Sequence, residues 1–203
     1  MKISDKVEMI DGTMANVYVI KRKDRIIQID TGMKNNFQKI VQYYEYNRSK
    51  PDIIFITHYH MDHIGSLREM IEKYNPVIIS SNIEKDYLSG KLKPEKPRSI
   101  IGKLVYKMMP LLDFKNVMTP DYLNDQDIDV ILTNGHTPGS SSLLLKDEKM
   151  IFIGDAAREK DGKLEIDRTF TLNQRTALDS LNKIKSLKPV LVLPGHGNPV
   201  KLE

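Results

Sequence analysis

The chain contains no cysteine among its 203 residues, and that absence removes whole classes of chemistry. Disulfides, thiolate metal sites and cysteine nucleophiles are excluded, so any bound metal must rest on nitrogen and oxygen donors. Long apolar runs are also missing. None approaches the roughly 20 residues needed to cross a bilayer, so no membrane partner is expected. The N-terminal stretch MKISDKVEMIDG has no apolar core behind its lysines, so no export signal is read there and the cytoplasm is the expected location. The chain has no internal repeat, low-complexity tract or linker. What remains is 40% hydrophobic and 29% charged, an ordinary globular balance. The length suits a single domain spanning 1–203 with a real core.

The net charge of +4 is unevenly placed. Between Glu84 and Lys107 stand seven cations (Lys85, Lys91, Lys93, Lys96, Arg98, Lys103 and Lys107) against the acids Glu84, Asp86 and Glu95. Such a segment is either a solvated helical surface or an attractor of anionic substrates or nucleic acid.

Short β-branched runs at 15–20 (ANVYVI), 25–30 (RIIQID), 53–56 (IIFI) and 77–80 (VIIS) read as strands. So do 128–133, 141–146, 150–154 and 190–193. Apolar residues at helical spacing predict helices around Phe37–Tyr44, from Ile64 to Tyr74, along a wide stripe over 100–114, and over 171–187 with Thr171 or Asn173 as N-cap. Pro94, Pro97, Gly90 and Gly102 make the middle irregular.

All five histidines lie in loops that follow apolar strand runs. Three of them fall within THYHMDH at His58, His60 and His63, a clustering whose chance by composition alone is on the order of a few per cent. His58 and His60 are two apart and share a side of extended backbone, whereas His63 opens a predicted helix and can aim elsewhere. His136 (in NGHTPGS), Asp155 (in FIGDAA) and His196 (in LPGHGNP) sit in comparable loops. Taken singly, His136 or His196 reads more simply as a surface or hydrogen-bonded histidine. Together with Asp62, however, these make seven candidate donors. A tetrahedral catalytic zinc uses about three protein ligands plus water, so seven suit two ions, and such pairs generate hydroxide near neutral pH.

The segment THYHMDH, with His58, His60, Asp62 and His63, together with GHTPGS at His136, GDA at Asp155 and LPGHG at His196, resembles the metal motifs of the metallo-β-lactamase superfamily, in family order. The resemblance extends to ANVYVI and IDTG and so covers essentially the whole chain. It implies an α/β (α+β) fold, a four-layer αββα sandwich of two mixed β-sheets flanked by helices. It further implies one metal held by His58, His60 and His136, a second held by Asp62, His63 and His196, a bridging Asp155, and Asp30 supporting the site. The cofactor implied is two divalent ions, zinc first, with iron and manganese compatible with the same donors.

By the same resemblance, the chain is expected to be a dinuclear hydrolase. A metal-bridging hydroxide would attack a small ester, hydroxyacyl-type thioester or lactone, with Asp62 passing a proton to the leaving group. Antibiotic cleavage is not expected, because one β-lactamase class needs a cysteine ligand and another lacks the bridging aspartate. The motif set is nearest to the glyoxalase II and lactonase-like hydrolases, although the chain stops seven residues after His196 and glutathione specificity is not expected. A mononuclear iron persulfide dioxygenase and a phosphodiesterase or nuclease are the alternatives. A small-molecule substrate, including an anionic one, is the expected partner; nucleic acid is not expected, and a homodimer is compatible. Substrate choice is expected in a basic helical insertion at about 83–120 covering the site. There Leu104, Val105, Met108, Met109 and Leu112 could wall a pocket or serve as core, Lys103 or Lys107 could meet an anion, and Tyr87, Tyr106 or Tyr122 could donate to an oxyanion.

Overall fold

A computed structural model describes residues 1–97, 99–107, 109 and 111–202; Arg98 and Met108 lie outside the described residues. The first half of the chain forms a six-stranded sheet: β1 (Val7–Ile10), β2 (Val17–Lys21), β3 (Ile26–Ile29), β4 (Ile53–Phe55), β5 (Val77–Ile79) and β6 (Val117–Met118), in that order. The first three strands are antiparallel and the rest parallel. The parallel crossovers carry α1 (Phe37–Tyr46), α2 (Met61–Ile64), α3 (Leu67–Tyr74), α4 (Asn82–Leu88) and α5 (Ile100–Tyr106). The second half contributes β7 (Ile128–Leu132), β8 (Ser141–Leu145), β9 (Met150–Gly154), a separate hairpin β10 (Arg158–Lys160) and β11 (Lys163–Glu165), α6 (Gln174–Ser186), β12 (Leu191–Pro194) and β13 (Val200–Lys201). Its sheet runs β13-β12-β9-β8-β7.

Alternation along the strands builds three apolar layers. Ile54 and Ile56, together with Val17 and Val19, face Ile40, Tyr44 and Met70 of the first helices. The opposite side chains, including Ile27, Ile29 and Phe55, meet Leu143, Leu145, Phe152 and Leu193 of the second sheet. Ile151, Ile153 and Val192 then pack on Leu181 and Ile184 of α6. This is the four-layer αββα sandwich. It explains why IIFI and MIFIG are apolar at every position: each central strand is covered on both faces. Among the described residues, no helix is long and apolar enough to cross a membrane.

The elements differ from the sequence expectation where local pattern carries little signal. β1, β6, β13 and the β10–β11 hairpin are short strands defined by their partners rather than by their own composition. The predicted helix over Ile64–Tyr74 is broken between α2 and α3, because Ser66 turns inward and donates to the Met33 carbonyl at 2.6 Å. The stripe over 100–114 is helical only to Tyr106; beyond it Leu112 and Phe114 are buried against the first layer rather than continuing a helix face. α6 is capped by Asn173, whose side chain accepts from the Thr176 amide. Leu178 within it and Leu187 at its C-cap are 49% and 39% exposed.

Candidate metal centre

The strand ends that carry the donor loops converge at one edge of the sandwich. β4 runs into residues 57–60 and α2, β7 into the loop around His136, β9 into Asp155 and β12 into His196. All seven sequence-predicted donors meet there in two groups: His58, His60 and His136, and Asp62, His63, Asp155 and His196. Asp62 shares the sequence parity of the first two histidines yet joins the second group, because α2 begins at Met61 and helical rotation overrides the extended alternation.

Asp155 touches both groups. Its Oδ1 lies 3.2 Å from His63 Nε2, while Oδ2 lies 3.4 Å from His136 Nε2 and 3.5 Å from His196 Nε2. Close approach of β12 makes this possible: a Cβ on Gly195 would come within 2.4 Å of Asp155 Oδ1 and 2.7 Å of His63 Cε1. Only glycine leaves the carboxylate in place there.

A buried network behind the donors sets their tautomers. Asp30 ends β3 in the left-handed region at φ 57°, a conformation aspartate tolerates better than most residues. Its Oδ1 accepts from the Thr57 amide at 2.8 Å, and its Oδ2 faces Thr57 Oγ1 at 2.7 Å and His63 Nδ1 at 2.7 Å. With the Thr57 hydroxyl donated to Asp30, its oxygen accepts from His58 Nδ1 at 3.1 Å. Both rings are thereby turned so that Nε2 faces the donor group.

The two groups differ in charge. His58 is held well below the ordinary histidine range by burial and by its neighbours His63, His60 and His136. His60 is lowered to about 3 by burial and by His136. Burial also lowers His136, against the pull of Asp155. The first group is thus neutral imidazole. In the second, burial opposes charge on His63, but Asp155, Asp30 and Asp62 raise it well above the usual value. His196 is likewise raised to about 10 by Asp155 and Asp62 despite burial. Burial works against ionisation of Asp62 as well, yet the positive His63 and His196 bring it to about 2.

Sequence reading missed Glu84, although S81-N-I-E84 is the spacing of a helix-capping box. Ser81 does cap α4, accepting from the Glu84 amide at 3.1 Å. The Glu84 carboxylate is spent elsewhere: it accepts from the Tyr59 amide at 2.6 Å and from the Thr137 hydroxyl at 3.1 Å. It therefore ties the loop of His58 and His60 to the loop of His136, the three donors of the first group. A Cβ on Gly139 would meet its Oε2 at 2.4 Å, so this contact also needs the glycine of GHTPGS.

Burial pushes the Glu84 carboxyl up to about 8, against the downward pull of Tyr59, Thr137 and Gly139. Because its native value stands above the unfolded one, its contribution to stability is fully present below about pH 4.5. That contribution is lost as pH rises through about 8, by at most about 1.4 kcal/mol per unit. Denaturant unfolding of Glu84→Gln and the unsubstituted protein at pH 5.5, 7 and 8.5 should show the variant gaining relative stability as pH rises; parallel profiles would refute the assignment.

A cavity of about 430 Å³ lies over both groups. His60, Asp62, Asp155 and His196 form its floor, and Val105, Tyr106 and Met109 of the insertion contribute to its wall. The other insertion residues named from sequence do not share one fate. Leu112 is buried in the core, Leu104 is 64% exposed, and Tyr122 is exposed. Lys103 and Lys107 are not on the lining. The Tyr106 hydroxyl donates to the Pro94 carbonyl, and that of Tyr87 to Glu95. Tyr59, of opposite parity to the histidines, packs into the first apolar layer and onto Tyr87.

Residues 10–196 match the metallo-beta-lactamase superfamily. The chain is 32% identical to the probable metallo-hydrolase YflN of Bacillus subtilis over 92% of its own length and 82% of that protein's. It is 28% identical to the metallo-beta-lactamase fold-containing protein ST1585 of Sulfurisphaera tokodaii, over 92% and 74%. Among solved structures, the BLEG-1 B3 metallo-beta-lactamase superposes with a TM-score of 0.72 at 21% identity, covering 96% of this chain and 93% of that one. TTHA1623, solved in a di-iron-bound form, gives 0.72 at 20% identity over 94% and 91%. At those identities the structural likeness speaks for the fold alone. Joined to the match over residues 10–196 and the 32% identity to a metallo-hydrolase, it leaves one conclusion: the chain belongs to the metallo-beta-lactamase superfamily.

Proposed function

We propose that this chain is a dinuclear metal-dependent hydrolase acting on a small ester, thioester or lactone. The carrying observation is the donor arrangement: two groups, one of three neutral imidazoles and one of two carboxylates with two imidazoles, that face one cavity and share Asp155. Their chemistry fits cations. His58 Nε2 is buried without a hydrogen-bond partner, and an unsatisfied buried polar atom calls for an ion or another partner. His60 Nδ1 and His136 Nε2 face each other at 2.9 Å, where two lone pairs need a proton or a cation between them.

His58, His60 and His136 would hold one ion, Asp62, His63 and His196 the other, with Asp155 between them. When bound, two divalent ions supply an activated water near neutral pH and Lewis acidity towards the oxygen of the electrophile. The chain's own groups do the rest. Asp30 and Thr57 fix the rings of His63 and His58. Asp62, ionised and bordering the cavity, has its Oδ2 3.0 Å from His196 Nε2, placing a carboxylate oxygen where a proton can be accepted and returned to a leaving group. Zinc, iron and manganese all suit these donors, and TTHA1623 shows that a protein of this fold can hold two irons. A phosphodiesterase draws less support, since Lys103 and Lys107 do not reach the lining.

Elemental analysis of the protein as expressed should find about two transition-metal ions per chain. In a parallel screen of thioesters, lactones and phosphodiesters, the first two should be cleaved and chelation should abolish turnover. One ion per chain with full activity, or activity that survives chelation, would overturn this reading.

A further inference from the structure

We infer that the cavity over the donor groups is an acyl-chain pocket, so that the substrate class is an ester, thioester or lactone bearing a flexible, apolar acyl group of several carbons. This rests on the hydrolase reading and deepens it. Four of the chain's ten methionines, Met14, Met33, Met61 and Met109, are on the lining, where an even spread would put fewer than one. They arrive from four separate places, the β1–β2 loop, the turn after β3, the first turn of α2 and the segment after α5, so helix or strand periodicity does not account for the concentration.

Val105 and Phe170 add apolar surface to the same lining that holds His60 and Asp155. Met14 stays 65% exposed at the rim, a position that core packing does not explain. Unbranched thioethers with several rotatable bonds conform to a flexible aliphatic chain better than branched or aromatic walls do. A volume near 430 Å³ is that of a small-ligand site.

Charge on the wall agrees. Arg158 and Asp167 both lie on the lining, and the Arg158 guanidinium bonds Glu165 at 3.1 Å and Asp167 at 3.2 Å, so its charge is met by two neighbouring carboxylates. Ser99 fastens the insertion to this side: its hydroxyl donates to the Thr169 carbonyl at 2.7 Å, one residue before Phe170. The apolar wall is therefore assembled from both halves of the chain.

Burial of a methylene contributes about 0.8 kcal/mol, close to fourfold in an equilibrium or rate ratio. For the zinc-loaded protein, kcat/KM on acetyl, butyryl, hexanoyl and octanoyl thioesters with one common leaving group should rise about fourfold per methylene before levelling. The nearly isosteric double variant Met14→Gln/Met109→Gln should flatten that slope, losing most on the longest chain. For the metal-free protein, displacement of 1-anilinonaphthalene-8-sulfonate by 1-butanol, 1-hexanol and 1-octanol should show the same slope and the same flattening. A chain-length slope in displacement without cleavage of any ester would keep the pocket and reject the hydrolase. Cleavage of the acetyl thioester with no gain on longer chains, and equal displacement by all three alcohols, would overturn the pocket.

Discussion

Asp155→Asn is expected to lower kcat/KM by about a hundred- to a thousandfold, the scale on which removing one preorganised electrostatic group erodes transition-state stabilisation. It should also reduce bound metal from the proposed two ions per chain to about one. Asparagine nearly preserves shape, so packing against Gly195 and His63 is retained. What changes is charge and donor character. The wild-type carboxylate reaches His63 with one oxygen and both His136 and His196 with the other. An amide can offer only one oxygen to those three imidazoles, and its NH₂ turns a donor towards groups whose lone pairs are needed for the ions. Because Asp155 reaches both donor groups, its loss should uncouple them, whereas removal of His58 or His196 would strip a donor from one group only. Metal stoichiometry and steady-state rates on the same preparation test this; two ions and undiminished activity in the variant would remove Asp155 from the bridging role.

Asp30→Ala should give the largest loss of stability of any single change at the site, about 3–5 kcal/mol, the cost of deleting one partner of a buried charged cluster. Three donors depend on this side chain, the Thr57 amide, the Thr57 hydroxyl and His63 Nδ1, and all are sealed from water. Alanine leaves them unsatisfied and also places a residue less tolerant of φ near +57° at that turn. Metal affinity should fall about 10- to 100-fold besides, since His63 and His58 lose the partners that orient them. Denaturant unfolding and competitive metal titration read the two effects separately. Asp30→Asn keeps the turn conformation, so comparing it with alanine divides backbone strain from the lost carboxylate. A midpoint unchanged in the alanine variant would show that the network does not carry the loop.

The seven candidate donors were legible because their chemistry is local. Histidine pairs at short spacing beside an aspartate, each following an apolar strand run, occur in sequence in the same form in which they occur at the site. The central strands β4 and β9 were legible for a related reason: a strand covered on both faces has to be apolar throughout, and IIFI and MIFIG are. The residues that escaped lack such a signature. Glu84 sits in an ordinary helix-start pattern, and nothing near it in the chain predicts that its carboxylate crosses to Tyr59 and Thr137. Met14, Met33, Met61, Arg158, Asp167 and Phe170 were not read as one surface, because they lie in separate segments and become neighbours only when the two halves close on each other.

The sequence by itself therefore determined the inventory of candidate donors, the exclusion of thiolate chemistry and the apolar strand runs, since all three follow from residue identity and short-range spacing; the sandwich of two sheets between helices was implied by the family resemblance. Only the tertiary structure decided the distances at which Asp155 reaches both groups, that Glu84 ties the two loops of the first group together, and that four methionines meet on the lining of the cavity beside them. Those relations depend on distances between segments far apart in the chain, such as Asn16 Nδ2 and the Gly197 carbonyl, 181 residues apart and 2.8 Å from each other, which only folding brings together.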